Sequence, residues 1–534
     1  MMINNPILKG FNPDPSIVRV GGDYYIATST FEWYPGVQIH HSKDLVNWRL
    51  IAQPLNRKEL LDMRGNADSC GIWAPCLSYD SDRFYLIYTD VKRHDGSFKD
   101  SHNYLTTCET VDGVWSDPIY LNSSGFDPSL FHDEDRKWFL NMVWDYRPGN
   151  NPFGGILLQE YCEKSNKLVG PVHNIFKGTK MGFTEAPHLY RHNDCYYLLT
   201  AEGGTEYDHC MTFARSKNIE GPYEVDPNGY FLTSKNNPTL KLQRAGHGDI
   251  VETQNGEIYA VHLCSRPLLG LKRSPMGRET GIQKAYWDDD GWLKLVDGGN
   301  EPFEQISNVD LKPHPWPEIP SKYYFNENSL PNYFQWLRTP FPEEFCSLSD
   351  KKGYLRLYGK QSLGNQFEQA LIARRQQSPV FQTTTKIDFN PFTFQQMAGL
   401  VCYYNSHKYH YLFISCDDEK QKYISIMSCE GDPTTFSSFP LHDSNNRINQ
   451  IEIPANQSVF LRASVNHQDL IFSWSLNNKA WNIIDLILDY SLISDEAGKG
   501  GGNSFTGAFV GMCCQDLSGQ SNFADFEFFE YIEE

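Results

Sequence analysis

Residues 10–28 read GFNPDPSIVRVGGDYYIAT, a short apolar strand, a polar turn and a second strand led by aromatics. Seen once, Asp14 between Pro13 and Pro15 reads as a turn residue, because Asp and Pro both favour turns. The pattern returns, however, as APCLSYDSDRFYLIYTD from Ala74, DPSLFHDEDRKWFLNMVW from Asp127 and EAPHLYRHNDCYYLLTAEGG from Glu185. A weaker copy, HGDIVETQNGEIYAVHL, starts at His247. From Pro15 through Pro75, Pro128, Pro187 and Gly248 the intervals are 60, 53, 59 and 61 residues. Self-similarity at near-constant spacing is the mark of a repeat architecture. Each copy carries turn residues at its middle, from Gly21-Gly22-Asp23 to Asn255-Gly256, as tight hairpins require. Further strand-like pieces, such as SKDLVNWRLI and DGVWSDPIYL, lie between the hairpins. Four strands per repeat and five repeats predict a five-bladed β-propeller, and residues 1–300 show no helical periodicity.

In a propeller the innermost strands run the same way around a central channel, so residues at their starts converge on one mouth. Asp14 and Asp127 hold the same slot, just before a proline, and Glu185 stands one residue earlier in its own copy. Three carboxylates on one rim raise one another's pKa, which suits catalysis better than architecture.

The repeat stops after Glu301. Residues 310–322, DLKPHPWPEIPSK, hold four prolines and read as a semi-rigid linker. From 323 onward alternating runs such as YLRLYG, TTTKIDF, YHYLFIS and VFLRASV predict a β-sandwich. The expected organisation is therefore all-β: a propeller over 1–309, a linker over 310–322 and a sandwich over 323–534. The Gly-rich KGGGNSFTGAF (499–509) lacks the ending of a phosphate loop and reads as a tight loop.

A formal charge of −19 argues against nucleic acid or an anionic membrane as partner, since both call for basic surface. A neutral ligand fits better. Thirteen cysteines without C-x-x-C pairs, and an N-terminus without a basic-then-apolar leader, predict reduced thiols in a cytoplasmic protein. No residues have metal-ligand spacing, so no metal site or required cofactor is expected; a calcium ion in the channel is kept as an alternative.

Paired carboxylates across a pocket are the apparatus of glycoside hydrolysis: one donates a proton to the leaving oxygen and the other activates water or attacks. The donor must keep its proton near neutrality, an upward shift of roughly two units or about 3 kcal/mol. A third carboxylate can supply part of that shift. Aromatic rings suit the CH faces of a sugar, and Phe31, Trp33, Trp73 and Trp144 flank the repeat anchors.

Together NPDPSIVRVGGDYYIATSTFEWYPGVQIHHSKDLVNW, GIWAPCLSY, GFDPSLFHD, FTEAPHLY and PMGRETGIQK resemble glycoside hydrolase family 43, and within it the β-xylosidases with a C-terminal concanavalin-like β-sandwich. The resemblance covers essentially the whole chain. It implies that Asp14 is the general base, Glu185 the general acid and Asp127 the group that raises and orients the acid. It further implies that Arg278 binds sugar hydroxyls, that Phe31, Trp73 and Trp144 wall the pocket, that His247 lies on the channel axis, and that Phe505 stands on a sandwich loop over the site. One departure is Cys76, where the family usually has an acidic residue after W-A-P. The implied activity is exo-acting and inverting release of xylose from the non-reducing end of β-1,4-xylo-oligosaccharides, with the two reacting carboxyls about 6.5–9.5 Å apart, by a homo-oligomer.

Alternatives stay open at this level. Trp73 and Trp144 can be blade-packing rings, and His247 can contact substrate, serve the channel structurally or help a metal ion, the first two being favoured. The string VDPNGY (225–230) resembles a motif of fructan-cleaving propellers but sits where an outer strand turns. An α-L-arabinofuranosidase, alone or as a second activity, and a non-catalytic oligosaccharide-binding propeller are the rival functions.

Overall fold

The five hairpins each grow into an antiparallel four-stranded blade in the computed structural model, which describes residues 1–296, 298–307, 309–431, 451–497 and 504–534. Blade 1 is Ser16–Val20, Asp23–Thr28, Gln38–Ser42 and Arg49–Ala52; blade 2 is Gly71–Asp80, Arg83–Arg93, Asp100–Cys108 and Ile119–Asn122. Blade 3 is Ser129–Asp133, Arg136–Trp144, Phe153–Cys162 and Lys167–Phe176. Blade 4 is Glu185–His192, Cys195–Glu202, Cys210–Ser216 and Glu224–Val225, with Leu232–Thr233 added to its third strand. Blade 5 is Gln243–Glu252, Ile258–Ser265, Glu279–Trp287 and Leu293–Leu295. Each inner strand touches the inner strands of the blades before and after it, and that of blade 5 returns to blade 1, so the ring is closed.

The turn chemistry explains the register. Val20 pairs with Asp23, Asp80 with Arg83, Asp133 with Arg136 and His192 with Cys195, leaving two-residue loops. Such loops need a left-handed residue to match strand twist, and Gly21, Ser81, Asp82, Glu134 and Asn193 supply positive φ there. The string 225–230 forms a turn, with Asp226 Oδ1 accepting from the Asn228 N–H and its carbonyl from Gly229.

Apolar faces of neighbouring blades pack on one another. Ile17, Tyr24 and Ile26 of blade 1 meet Val251, Tyr259 and Val261 of blade 5, and Tyr85 and Ile87 of blade 2 meet Leu130 and Phe139 of blade 3. The seam is drawn shut by the N-terminus. Ile3 and Asn4 pair antiparallel with Ile306 and Gln305. The Asn5 amide donates to the carbonyls of Ile282 and Phe303 and accepts from the Ile282 N–H, all at 2.8–2.9 Å.

Contacts divide the chain into two units, and neither is continuous. The first holds Met1–Leu61, Cys70–Arg266 and Arg278–Trp316; the second holds Asp62–Ser69, Pro267–Gly277 and Pro317–Glu534. Residues 310–316 of the proline-rich run thus belong with the propeller. Trp316 lies under the Arg49 guanidinium, 3.8 Å from its ring centre, and donates to the Asn47 carbonyl.

The second unit faces an eight-stranded antiparallel sheet with a six-stranded one. Between them lies one core that includes Leu355, Ile387, Leu400, Leu412, Leu461, Phe472, Val510 and Phe526. Val459–Asn466 alternates buried and half-exposed residues, as a strand with one covered face does. Asp68 is held there by Arg338, and Ser274 by Glu496. Residues 498–503, which include the first five positions of the predicted Gly-rich loop, lie outside the described residues. Among the described residues no helix is long and apolar enough to cross a membrane.

Candidate active site

Asp14 stands at the start of the inner strand of blade 1 with φ 56°, a conformation uncommon for residues other than Gly, Asn and Asp. The Pro13 carbonyl, accepting from the Ser29 N–H, holds the turn. Its side chain is buried among donors: the Ser29 hydroxyl donates to Oδ2 at 2.7 Å, and Arg278 Nη1 donates to Oδ1 at 3.0 Å. A buried carboxylate is tolerable when paired and hydrogen-bonded in this way. Arg278 is positioned by hydrogen bonds to its own backbone and to its neighbour. Its carbonyl accepts from the Asn12 N–H, and the next residue, Glu279, accepts from the Gly10 N–H and from Arg266. His247, at the equivalent slot of blade 5, places Nδ1 3.6 Å from Asp14 Oδ1. Burial pushes its pKa down to about 4 against the pull of Asp14, so it is a neutral imidazole at pH 7.

Asp127 repeats the left-handed conformation (φ 54°) at the head of blade 3. In blade 4 that conformation falls on Ala186 (φ 51°), so the one-residue offset of Glu185 is a difference in slot, not in rim. Both acidic side chains are buried. Burial, then the charges of Glu185 and Asp14, holds the Asp127 carboxyl far above the usual range, while Arg278 and a hydrogen bond from Ala186 oppose the shift. Burial, then Asp14, pushes Glu185 up to about 8 against Arg278 and Lys99. Repulsion between two carboxylates is mutual, so the pair titrates as a unit and keeps a proton through neutrality. Asp14, Asp127, Glu185, Arg278 and His247 thus meet in one buried cluster.

A run of rings walls this cluster. Phe31 lies 5.8 Å from Trp73, Trp73 5.3 Å from Phe126, Phe126 6.3 Å from Trp144, and Trp144 5.5 Å from Phe153. Trp73 and Trp144 keep partial exposure, whereas Trp33 is completely buried and belongs to the core. Phe126, beside Asp127 in FDPS, was in plain view in the sequence. Lys99 was not, because it sits in a polar loop. Its ammonium lies 4.5 Å from the Trp144 ring centre, donates to the His94 carbonyl, and is one of the charges acting on Glu185. Cys76 is buried, its thiol pushed up to about 12 by desolvation and by Asp249, hence neutral. Phe505 belongs to the second unit, where its N–H donates to the Ser69 hydroxyl. Among the described residues no three His, Cys, Asp or Glu side chains form a group that could hold a metal ion.

An ionised carboxylate fixed by a cation, facing a carboxyl pair that retains a proton, can take a proton from water and give one to a leaving oxygen in the same event. Comparison with known proteins points the same way. The model of glycosyl hydrolases family 43 matches residues 3–293, and that of the β-xylosidase C-terminal concanavalin A-like domain matches residues 322–532. A xylosidase/arabinosidase 43B from Humicola insolens is 52% identical over 99% of this chain and 97% of its own length. A β-xylosidase from Bacillus subtilis is 50% identical with full coverage of both chains. The crystal structure of a xylan β-1,4-xylosidase from Bacillus halodurans superposes with a TM-score of 0.95 at 51% identity, each chain covered completely.

Proposed function

The chain belongs to the family 43 glycosyl hydrolases, and on that premise we propose that it is an exo-acting β-xylosidase that releases single xylose units from the non-reducing end of β-1,4-xylo-oligosaccharides with inversion. The observation that carries this reading is the unequal treatment of acids on one rim: Asp14 is paired with Arg278, while Asp127 and Glu185 are pressed together. Asp14 acts as base, removing a proton from the water that attacks the anomeric carbon. Glu185 acts as acid, passing its proton to the leaving oxygen as the glycosidic bond breaks. Asp127 keeps that proton in place through the mutual repulsion of the pair. Arg278 pairs with the base at 3.0 Å and presents its guanidinium to sugar hydroxyls, and Phe31, Trp73 and Trp144 receive the flat faces of the pyranose. The residues supply the whole acid–base chemistry, so no cofactor enters the scheme.

Xylobiose hydrolysis followed by proton NMR tests substrate and stereochemistry together. The α-anomer of xylose should appear first; β-xylose as first product would overturn inversion, and an unreacted disaccharide would overturn the xylosidase reading. A second activity on α-L-arabinofuranosides is favoured by the double name of the Humicola relative. Rates on the two nitrophenyl glycosides measure it. An intracellular setting and assembly into dimers or tetramers belong to the same proposal, checked by cell fractionation and light scattering.

A further inference from the structure

The residue before Glu185 ends a loop whose shape is dictated from below by one buried carboxyl group. Glu202, at the end of the second strand of blade 4, has no exposed surface. Its Oε1 accepts from the Thr179 N–H at 2.7 Å and the Thr184 hydroxyl at 2.8 Å; Oε2 accepts from the Thr179 hydroxyl at 2.6 Å and the Thr212 hydroxyl at 2.9 Å. Thr179 and Thr184 are the two ends of the loop that delivers Glu185, so Glu202 draws them together across 178–184. The fit is close. A Cβ on Gly178 would stand 1.8 Å from the Thr184 hydroxyl oxygen and 3.0 Å from Glu202 Oε1. Glu185 pairs with Ala201, the neighbour of Glu202, and the register then shifts between Glu185 and His188. The charged groups that act on Glu185 are Asp127, Asp14, Arg278 and Lys99, so the influence of Glu202 passes through the backbone.

We propose that Glu202 is a positioning residue for the proton donor: by gathering the 178–184 loop it sets where the Glu185 carboxyl points. The proposal rests on the reading of Glu185 as general acid. Proton donation matters most when the leaving oxygen is a poor leaving group and little when it departs unaided. General acid–base catalysis contributes typically 10²–10⁴-fold, and misplacement by about 1 Å can cost on the order of 10²-fold.

The test compares kcat/KM on xylobiose with kcat/KM on 2,4-dinitrophenyl β-xyloside. Glu202→Ala should lose about 50-fold on xylobiose and less than about threefold on the dinitrophenyl substrate. Glu202→Gln should recover xylobiose turnover to within about fivefold, because its carbonyl can serve Thr179 N–H and Thr184 while its amide donates to the other two hydroxyl oxygens. Equal losses on both substrates, or no loss in Glu202→Ala, would overturn the proposal. Should Glu202→Ala fail to fold, Thr184→Val removes one donor at nearly constant shape, and the same difference between substrates decides. A wild-type enzyme inert toward both substrates would instead overturn the xylosidase reading.

Discussion

Asp14 and Asp127 are the same residue in the same place twice. Each precedes a proline at the head of an inner strand, each has a left-handed backbone (φ 56° and 54°), and each is buried. Their surroundings are opposite. Asp14 receives a guanidinium and a hydroxyl, whereas Asp127 faces two further carboxyls with Arg278 as only a weaker counterweight. Backbone geometry aims a side chain; its neighbours decide whether it carries a charge. The repeat supplies that left-handed slot four times, at Asp14, Asp127, Ala186 and His247, and the neighbouring residues supply the difference.

Replacing the ionised member should break the comparison most severely. Asp14→Ala is expected to lower kcat on xylobiose by at least about 10³-fold, losing the base outright, with circular dichroism unchanged; near-normal turnover would remove Asp14 from the mechanism. Glu185→Ala should lower xylobiose turnover by about 10²–10³-fold and an activated aryl xyloside far less, so identical losses would deny it the acid role. Asp127→Asn sharpens the comparison rather than breaking it. The proposed acid works protonated, so activity falls as pH rises through its pKa. Burial and the charge of Asp14 lift that pKa, and the Asp127–Glu185 repulsion, mutual by Coulomb's law, adds to the shift. Removing that repulsion should move the alkaline limb of the kcat profile downward by on the order of one unit; a fixed or rising limb would contradict the coupling.

The smallest effect lies in stability. Glu185 titrates near 8 when folded and near 4.5 when not, so the fold loses stability as pH rises through that interval. The buried histidines His209, His247 and His262 are pushed down to about 3, 4 and 4. They act with the opposite sign: from about 6.5 downward the unfolded chain takes protons that the fold refuses. Asp127→Asn should therefore raise the melting temperature by a few degrees at pH 9 and much less at pH 6. An equal shift at both values would show that packing, not charge, is responsible.

The ring and its acidic rim were legible because short-range chemistry writes them: two-residue turns, aromatic-led strands and an acid before proline recur at a fixed period. Lys99 and Glu202 were opaque for the converse reason. KRHDGSFKD is merely a polar loop, and Glu202 in TAEGG shows nothing of the three threonines it gathers, two of them about twenty residues upstream. The discontinuous units were equally invisible, since Asp62–Ser69 and Pro267–Gly277 bear no compositional break. Trp316 did leave a sign. A tryptophan in a proline-rich run has a large apolar face to cover, and Arg49 covers it.

The way Asn5 and Ile3–Asn4 meet residues near 282 and 305 has a consequence for biosynthesis. Residues 3–5 bond with some of the last residues of the ring, and Asp14 awaits a counter-charge 264 positions later in translation. Long-range closures of this kind form slowly, so an emerging chain holds four blades' worth of exposed sheet face until the fifth is released. Chaperone demand during synthesis is a property this topology hands to the cell.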